Sequence, residues 1–409
     1  MHAWYRRVMH AAAALAGLHV LDFTNLLAAP QIAATLADFG ADVVKIEPRA
    51  GDPLRRIGVQ RNGASPQWAL VSRNKRAITL DLDQPDGRRI FGELLERADV
   101  LVENLTPTLL TRWDCEPDVL LARHPRLVVV SVSCYGRSGP YGERAGAGAL
   151  AEAFGGFAHM NGEPDGPPLL PSIPLGDMLS GFSGVIGALT ACYARDRAEG
   201  GSGRGQHVDV SLFEPILQLL ALPLAQYDGT AAPPKRNGSR VEGGVPRNLY
   251  RCRDAQWLAL SATTDTQAAR LLGVIGRDSR EERELFGTSE ARLRVADELD
   301  AIVARWISER DRRDVLEAFH GARIPVAPVN DLAAILEDPH VRSRASIVSL
   351  PDPELGHVSL VAPTPRLSGT PGQHRHCGPA LGAHNEAVLG DWLGLDREQV
   401  EALRRSNAI

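Results

Sequence analysis

Residues 18–47 read "LHVLDFTNLLAAPQIAATLADFGADVVKIE". "LHVLDF" (18–23) and "ADVVKIE" (41–47) are apolar runs of strand length. Between them "PQIAATLADFG" (30–40) has helical composition, with Pro30 at its start and Gly40 as its stop. This is a strand, loop, helix, strand unit. Two strands joined through a helix lie parallel in one sheet. The expectation is an α/β fold whose large domain is doubly wound and Rossmann-like.

The alternation continues along the chain. "RAITLDL" (76–82) is strand-like and "DGRRIFGELLERA" (86–98) helical, and "DVLVEN" (99–104) and "RLVVVSVSCYG" (126–136) are again strands. A helix beginning near residue 178 leads through "EGGSGRGQ" (199–206) into the strand "HVDVSLFE" (207–214). Residues 1–215 are therefore assigned to the large domain. Residues 216–250 form a linker or mobile loop, because "GTAAPPKRNGSRVEGGVPR" (229–247) is rich in Pro, Gly and charge. A smaller α+β domain follows over 251–330. It contains "ADELDAIVARWISERD" (296–311), in which Leu299, Ile302, Val303 and Trp306 share one helix face. Residues 331–409 are a linker and a return to the large domain, with a hairpin at "SIVSLPDPELGHVSLVAP" (346–363) and two short C-terminal helices.

Composition narrows the function. A net charge of −5 over 409 residues gives no basic field for nucleic acid. Five cysteines without a C-x-x-C fit reduced thiols and a cytoplasmic location. The N-terminal "MHAWYRRVMHAAAALAG" reads as a helical extension in preference to a signal peptide. No membrane partner is expected, since apolar runs of about 18 residues carry charges.

Several familiar sites fail on their chemistry. The first strand-to-helix loop, "TNLLAAP", has no glycine, so a dinucleotide pyrophosphate could not approach its backbone, although Glu47 ends the second strand as an NAD site would require. "EGGSGRGQ" leaves a helix and lacks the Lys-Ser or Lys-Thr of a phosphate loop. "HRHC" (374–377) holds three metal-ligand types but would need partners from elsewhere, and no metal is expected. No G-x-S-x-G elbow is present. What remains is Asp177 in "PSIPLGDMLSGFSGVIGALTACYARDR" (171–197). It precedes a helix lined by Ser180, Gly181, Ser183, Gly184, Gly187 and Ala188, small residues that let a backbone or ligand come close. The helix N-terminus is expected to keep the carboxylate ionised, and a partly desolvated carboxylate is a nucleophile.

Six blocks carry a family resemblance. They are "VLDFTNLLAAPQIAATLADFGADVVKIEP", "NKRAITLDL", "DVLVENLTPTLLTRWD", "GDMLSG", "GRGQHVDVSLFE" and "DPHVRSRASIVSLPDPELGHVSLVAPTPRLS". Together they resemble the class III CoA-transferases, the group of formyl-CoA:oxalate and carnitine-pathway enzymes, whose fold α-methylacyl-CoA racemases share. The resemblance implies transfer of coenzyme A from an acyl-CoA to a small carboxylic acid, with Asp177 as nucleophile, through an aspartyl anhydride and an aspartyl-CoA thioester. It also implies an interlocked homodimer. CoA contacts carry over to Leu26, Leu27 and Ala28, to Leu80, to Asn104, Leu105 and Thr106, and to Arg112 and Arg144.

The chain departs from the family pattern in places. Formyl-CoA transferases carry Gln at Leu27, an acid at Gly148 and a glycine-run loop that "NGSRVEGG" (237–244) matches only loosely. Two basic CoA contacts stand here as Pro48 and Asp83, and Arg49 or Lys75 are the replacements considered. The racemase histidine position is Gly146. An acyl-CoA racemase or epimerase, or a non-catalytic CoA-binding homologue, are the alternatives.

Overall fold

The computed structural model describes residues 13–227, 229, 232–241 and 243–409. The N-terminal extension falls largely on residues 1–12, outside them, as do residues 228, 230, 231 and 242 of the expected linker. The chain divides into two compact units. One comprises the chain up to Phe157, Leu170–Gln226 and Ser343–Ile409; the other is Ala158–Leu169 with Tyr227–Arg342.

The first unit is built on a six-stranded parallel sheet of order β3-β2-β1-β4-β5-β6. Its strands are β1 (His19–Phe23), β2 (Asp42–Glu47), β3 (Arg76–Thr79), β4 (Val100–Glu103), β5 (Val128–Ser133) and β6 (His207–Ser211). The register pairs Val20 with Val43, Leu21 with Leu101, and Leu101 with Val129. Successive side chains on a strand face opposite ways. Leu21, Ile46, Ile78, Leu101 and Val129 thus enter one core, and Val20, Val43, Val100, Val128 and Val130 the other. Both faces are covered, which is why these strands read as continuous apolar runs.

Three helices frame the candidate site. Helix α1 (Ala28–Asp38) is buried along its whole length. It begins two residues before Pro30, the start expected from sequence. Pro30 is tolerated there because first-turn N–H groups have no partner inside a helix. Helix α2 (Gly148–Phe154) is short. Helix α3 (Leu175–Asp196) runs 22 residues and packs closely on α1. A Cβ built at Gly184 would stand 2.2 Å from Ile32 Cδ1, so the small residues of α3 admit α1. By length and composition α3 is apolar enough to cross a membrane, yet its Gly181, Gly184, Ala188 and Ala191 face is buried in this unit.

Glu47, the acid that suggested a dinucleotide, is sealed at the end of β2 and paired with Arg55 at 2.7 Å. The C-terminal helices Asn385–Leu393 and Arg397–Arg405 send Val388, Leu389, Trp392, Val400 and Leu403 into the same core as Leu21. The segment 346–363 forms an antiparallel hairpin, Ile347–Asp352 with Gly356–Val361.

The second unit has a three-stranded antiparallel sheet, β7 (Arg247–Arg251), β8 (Trp257–Ser261) and β9 (Val326–Pro328). The helix Ala296–Ser308 buries Leu299 and Val303 there, with Ile302 and Trp306 partly buried beside them. Residues 158–169, read from sequence as large domain, belong to this unit. Arg236 donates to the carbonyls of His159 and Gly166, and the Gly238 amide donates to Gly162. Residues 214–226, partly read as linker, form two helices of the first unit.

Candidate active site

A cavity of about 810 Å³ opens in the first unit beside the carboxyl ends of β1, β4 and β5. β1 and β4 are neighbours where the strand order reverses. Open parallel sheets form their ligand crevices at such a point, because adjacent loops diverge to opposite faces. The lining includes Leu26, Leu27 and Ala28 after β1, Asn104, Leu105 and Thr106 after β4, and Arg144 and Asp177. Eight of the twelve residues expected at the site are thus brought together.

Asp177 is the third residue of α3, within its first turn and not its N-cap; Pro174 occupies that position. The carboxylate is half-buried. Gly148, the first residue of α2, presses against it: a Cβ there would stand 2.5 Å from Asp177 Oδ2. Burial, and secondarily the nearby Glu152 carboxylate, push the Asp177 pKa up to about 6. This corrects the expectation that the helix N-terminus dominates. Desolvation of the charged form outweighs it, although at pH 7 the carboxylate is still mostly ionised.

The β1–α1 loop is held from two sides. Asn104 Oδ1 accepts from the Asn25 amide at 2.9 Å, and Asn104 Nδ2 donates to the Asn25 carbonyl at 2.9 Å. Buried Lys45 donates to the Thr24 carbonyl. Leu26, which follows Asn25, adopts φ +64°, a left-handed conformation that costs a side-chain-bearing residue energy unless its surroundings enforce it. Asn104 therefore orients the loop. Leu105 is largely core, with its amide on Glu103, and Thr106 caps the following helix through the Leu109 amide. Arg144 lies over the Tyr141 ring, 3.6 Å from its centroid.

Four expected residues are elsewhere. Lys75 is fully buried, 2.6 Å from Asp22 and 2.8 Å from the Pro30 carbonyl, and burial lowers its pKa to about 8. It corrects the idea of a phosphate contact, since its ammonium does not reach solvent. Leu80 is a core residue. Arg112 is exposed and paired with Asp83 at 2.8 Å, and Arg49 donates to Asn407 Oδ1 at 2.9 Å near the C-terminus. Neither lines the cavity.

Sequence reading missed Arg137, Cys134 and Glu152. Arg137 Nη2 bonds both Glu103 oxygens at 2.9 and 2.8 Å and the Leu105 carbonyl at 2.8 Å, while the residue lines the cavity. Nothing local in "CYGRSGP" marks it, because its partners lie more than 30 positions away. Gly146, where a racemase would have histidine, abuts Cys134: a Cβ there would stand 2.1 Å from Cys134 Cβ. Among the described residues no His or Lys lines the cavity, and no cluster of His, Cys, Asp and Glu is arranged to hold a metal ion. Within "HRHC", His374 instead contacts Asp38, and His376 contacts the Cys377 carbonyl.

Similarity to known proteins agrees with this architecture. The model of CoA-transferase family III matches residues 15–385. The beta subunit of succinyl-CoA–L-malate CoA-transferase from Chloroflexus aurantiacus is 39% identical over 401 residues, covering 97% of this chain and 98% of that protein. Succinyl-CoA–D-citramalate CoA-transferase of the same organism is 35% identical over 396 residues, covering 96% and 97%. A crystal structure of a CAIB/BAIF family protein from Brucella suis superposes with a TM-score of 0.81 at 28% identity, covering 93% of this chain and 99% of that one. The chain belongs to CoA-transferase family III.

Proposed function

We propose that the chain moves coenzyme A from an acyl-CoA thioester to a carboxylic acid, with Asp177 as the nucleophile. The observation that carries this reading is a half-buried carboxylate in a cavity at the carboxyl ends of a parallel sheet, pressed by Gly148. The Asp177 oxygen attacks the donor carbonyl, giving an aspartyl acyl anhydride and CoA thiolate. Thiolate attacks the aspartyl carbonyl, releasing the donor acid and leaving an aspartyl-CoA thioester. The acceptor carboxylate attacks that thioester, and thiolate then attacks the acceptor acyl group, restoring Asp177. Each step exchanges activated acyl derivatives, so the protein's work is to align the groups and exclude water.

Leu26, Leu27 and Ala28, with the 104–106 turn, form the wall along which we place the thioester arm, and Arg144 stands at its polar end. Succinyl-CoA is the first donor to test, because both Chloroflexus relatives are named for it. Racemisation would need a second acid or base at Gly146, where the Cys134 side chain leaves no space for one. We further propose a cytoplasmic homodimer, supported by the free state of all five cysteines and by exposed apolar residues on α3.

The test is intact-protein mass spectrometry after mixing with succinyl-CoA without acceptor. A covalent CoA adduct is expected on the wild type and absent from Asp177→Ala, which should still bind CoA. Unchanged turnover by Asp177→Ala would overturn the assignment.

A further inference from the structure

Glu152 is a buried carboxylate on α2 with no cationic partner among the described residues. Its Oε1 accepts from the Gly176 amide at 2.9 Å, one residue before Asp177. A Cβ built at Gly176 would lie 3.1 Å from the Gly148 carbonyl and 3.6 Å from Glu152 Oε1. One face of α2 therefore packs on the first turn of α3 at two points, Gly148 against the nucleophile itself and Glu152 one turn further along. Burying an unpaired acid is costly unless the structure gains something by it. A hydrogen bond to one amide could be supplied by a neutral glutamine, so anchoring alone does not call for the charge.

We infer that Glu152 is a positioning residue that anchors the first turn of α3 and uses its charge to favour acylation of Asp177. The inference rests on Asp177 being the nucleophile. In the free enzyme two carboxylates share a poorly solvated corner and repel. When Asp177 becomes an anhydride or thioester its negative charge is gone, and with it the repulsion. Any step that neutralises Asp177 is favoured by the same amount, whether a proton or an acyl group does it. The raised proton affinity of Asp177 has this second cause behind burial. The other ionisable groups nearby are the Cys134 thiol after β5 and, along the cavity, Glu143, Arg137 and Arg144. Helix α1 presents the neutral Gln31 to α3 at Gly181.

The decisive variant is Glu152→Gln, which keeps an oxygen acceptor for the Gly176 amide and removes the charge. Two readouts are taken. The first is the acid limb of kcat/KM against pH, expected to move down by half a unit or more. The second is the ratio of CoA-adducted to free enzyme at equilibrium with acyl-CoA and its free acid, expected to fall roughly threefold or more, the equivalent of that shift. CoA affinity and the melting temperature serve as controls for a merely structural effect. If the variant has the wild-type acid limb and adduct ratio, the inference is overturned. If the wild type forms no adduct on Asp177, the nucleophile reading itself falls, and the two failures are thus distinguishable. Should Glu152→Gln not fold, Glu152→Asp, which keeps the charge, is expected to retain a high acid limb; a limb falling toward the ordinary Asp range in that variant also overturns the inference.

Discussion

A carboxylate that water fully solvates is a weak nucleophile toward a thioester, because attack must strip that water away. Half-burial of Asp177 removes part of the solvent in advance, and the rise of its pKa to about 6 reports the same cost. The sign follows directly. In the proposed mechanism the ionised form attacks, so kcat/KM should be level well above pH 6 and fall about tenfold per unit well below it. An acid limb centred near 4 would contradict this environment. Gly148 makes a steric prediction. Alanine there sets a methyl group 2.5 Å from Oδ2, so the carboxylate must move aside. Misplacement of a reacting group by about 1 Å costs on the order of 10²-fold in rate. Gly148→Ala should lose roughly that much kcat while its circular dichroism spectrum and CoA affinity hold; near-normal kcat would show that the carboxylate can rotate away freely.

At the scale of elements, the β1–α1 loop is a rigid wall because Asn104 grips Asn25 from the neighbouring strand. Asn104→Ala releases both bonds and lets Leu26 leave its left-handed conformation. The expected outcome is a higher KM for acyl-CoA with a smaller change in kcat, and a loss of about 1–3 kcal/mol in unfolding free energy by chemical denaturation. A change in kcat alone would point to direct chemistry by Asn104. The strands and helices of the first unit were legible in the sequence because apolar runs and helix stops are local signals: "LHVLDF", "ADVVKIE" and Gly40 needed nothing beyond their neighbours. The loops that gather at the cavity were legible through family resemblance. Lys75 was not, since a lysine's fate depends on Asp22, 53 positions away, which sequestered it. Arg137 and Glu152 were hidden for the same reason: their contacts are with Glu103 and Gly176, which only folding brings near. The 158–169 segment was read as part of the large domain because the Arg236 contacts that bind it elsewhere are equally non-local.

At the scale of the whole molecule, α3 has an inverted pattern. Its small residues face inward to admit α1, and its large ones face outward. Phe182, Ile186, Leu189 and Tyr193 recur at helical spacing on the exposed side, with Ile186 68% and Tyr193 69% exposed. Leu217, Leu219, Leu222 and Leu224 are also exposed on the two helices of residues 214–226. A monomer gains nothing from so long an apolar stripe in water, where each buried side chain of this size is worth about 1.5–3 kcal/mol. A second copy of the chain is the partner that the proposed homodimer supplies. The double variant Ile186→Glu with Tyr193→Glu places two charges in that stripe without touching the packed face of α3. Sedimentation of the wild type should give a dimer, and the variant should give monomers whose circular dichroism still matches the wild type. If instead the wild type sediments as a monomer, the stripe is not a self-association surface, and the homodimer proposal fails with it.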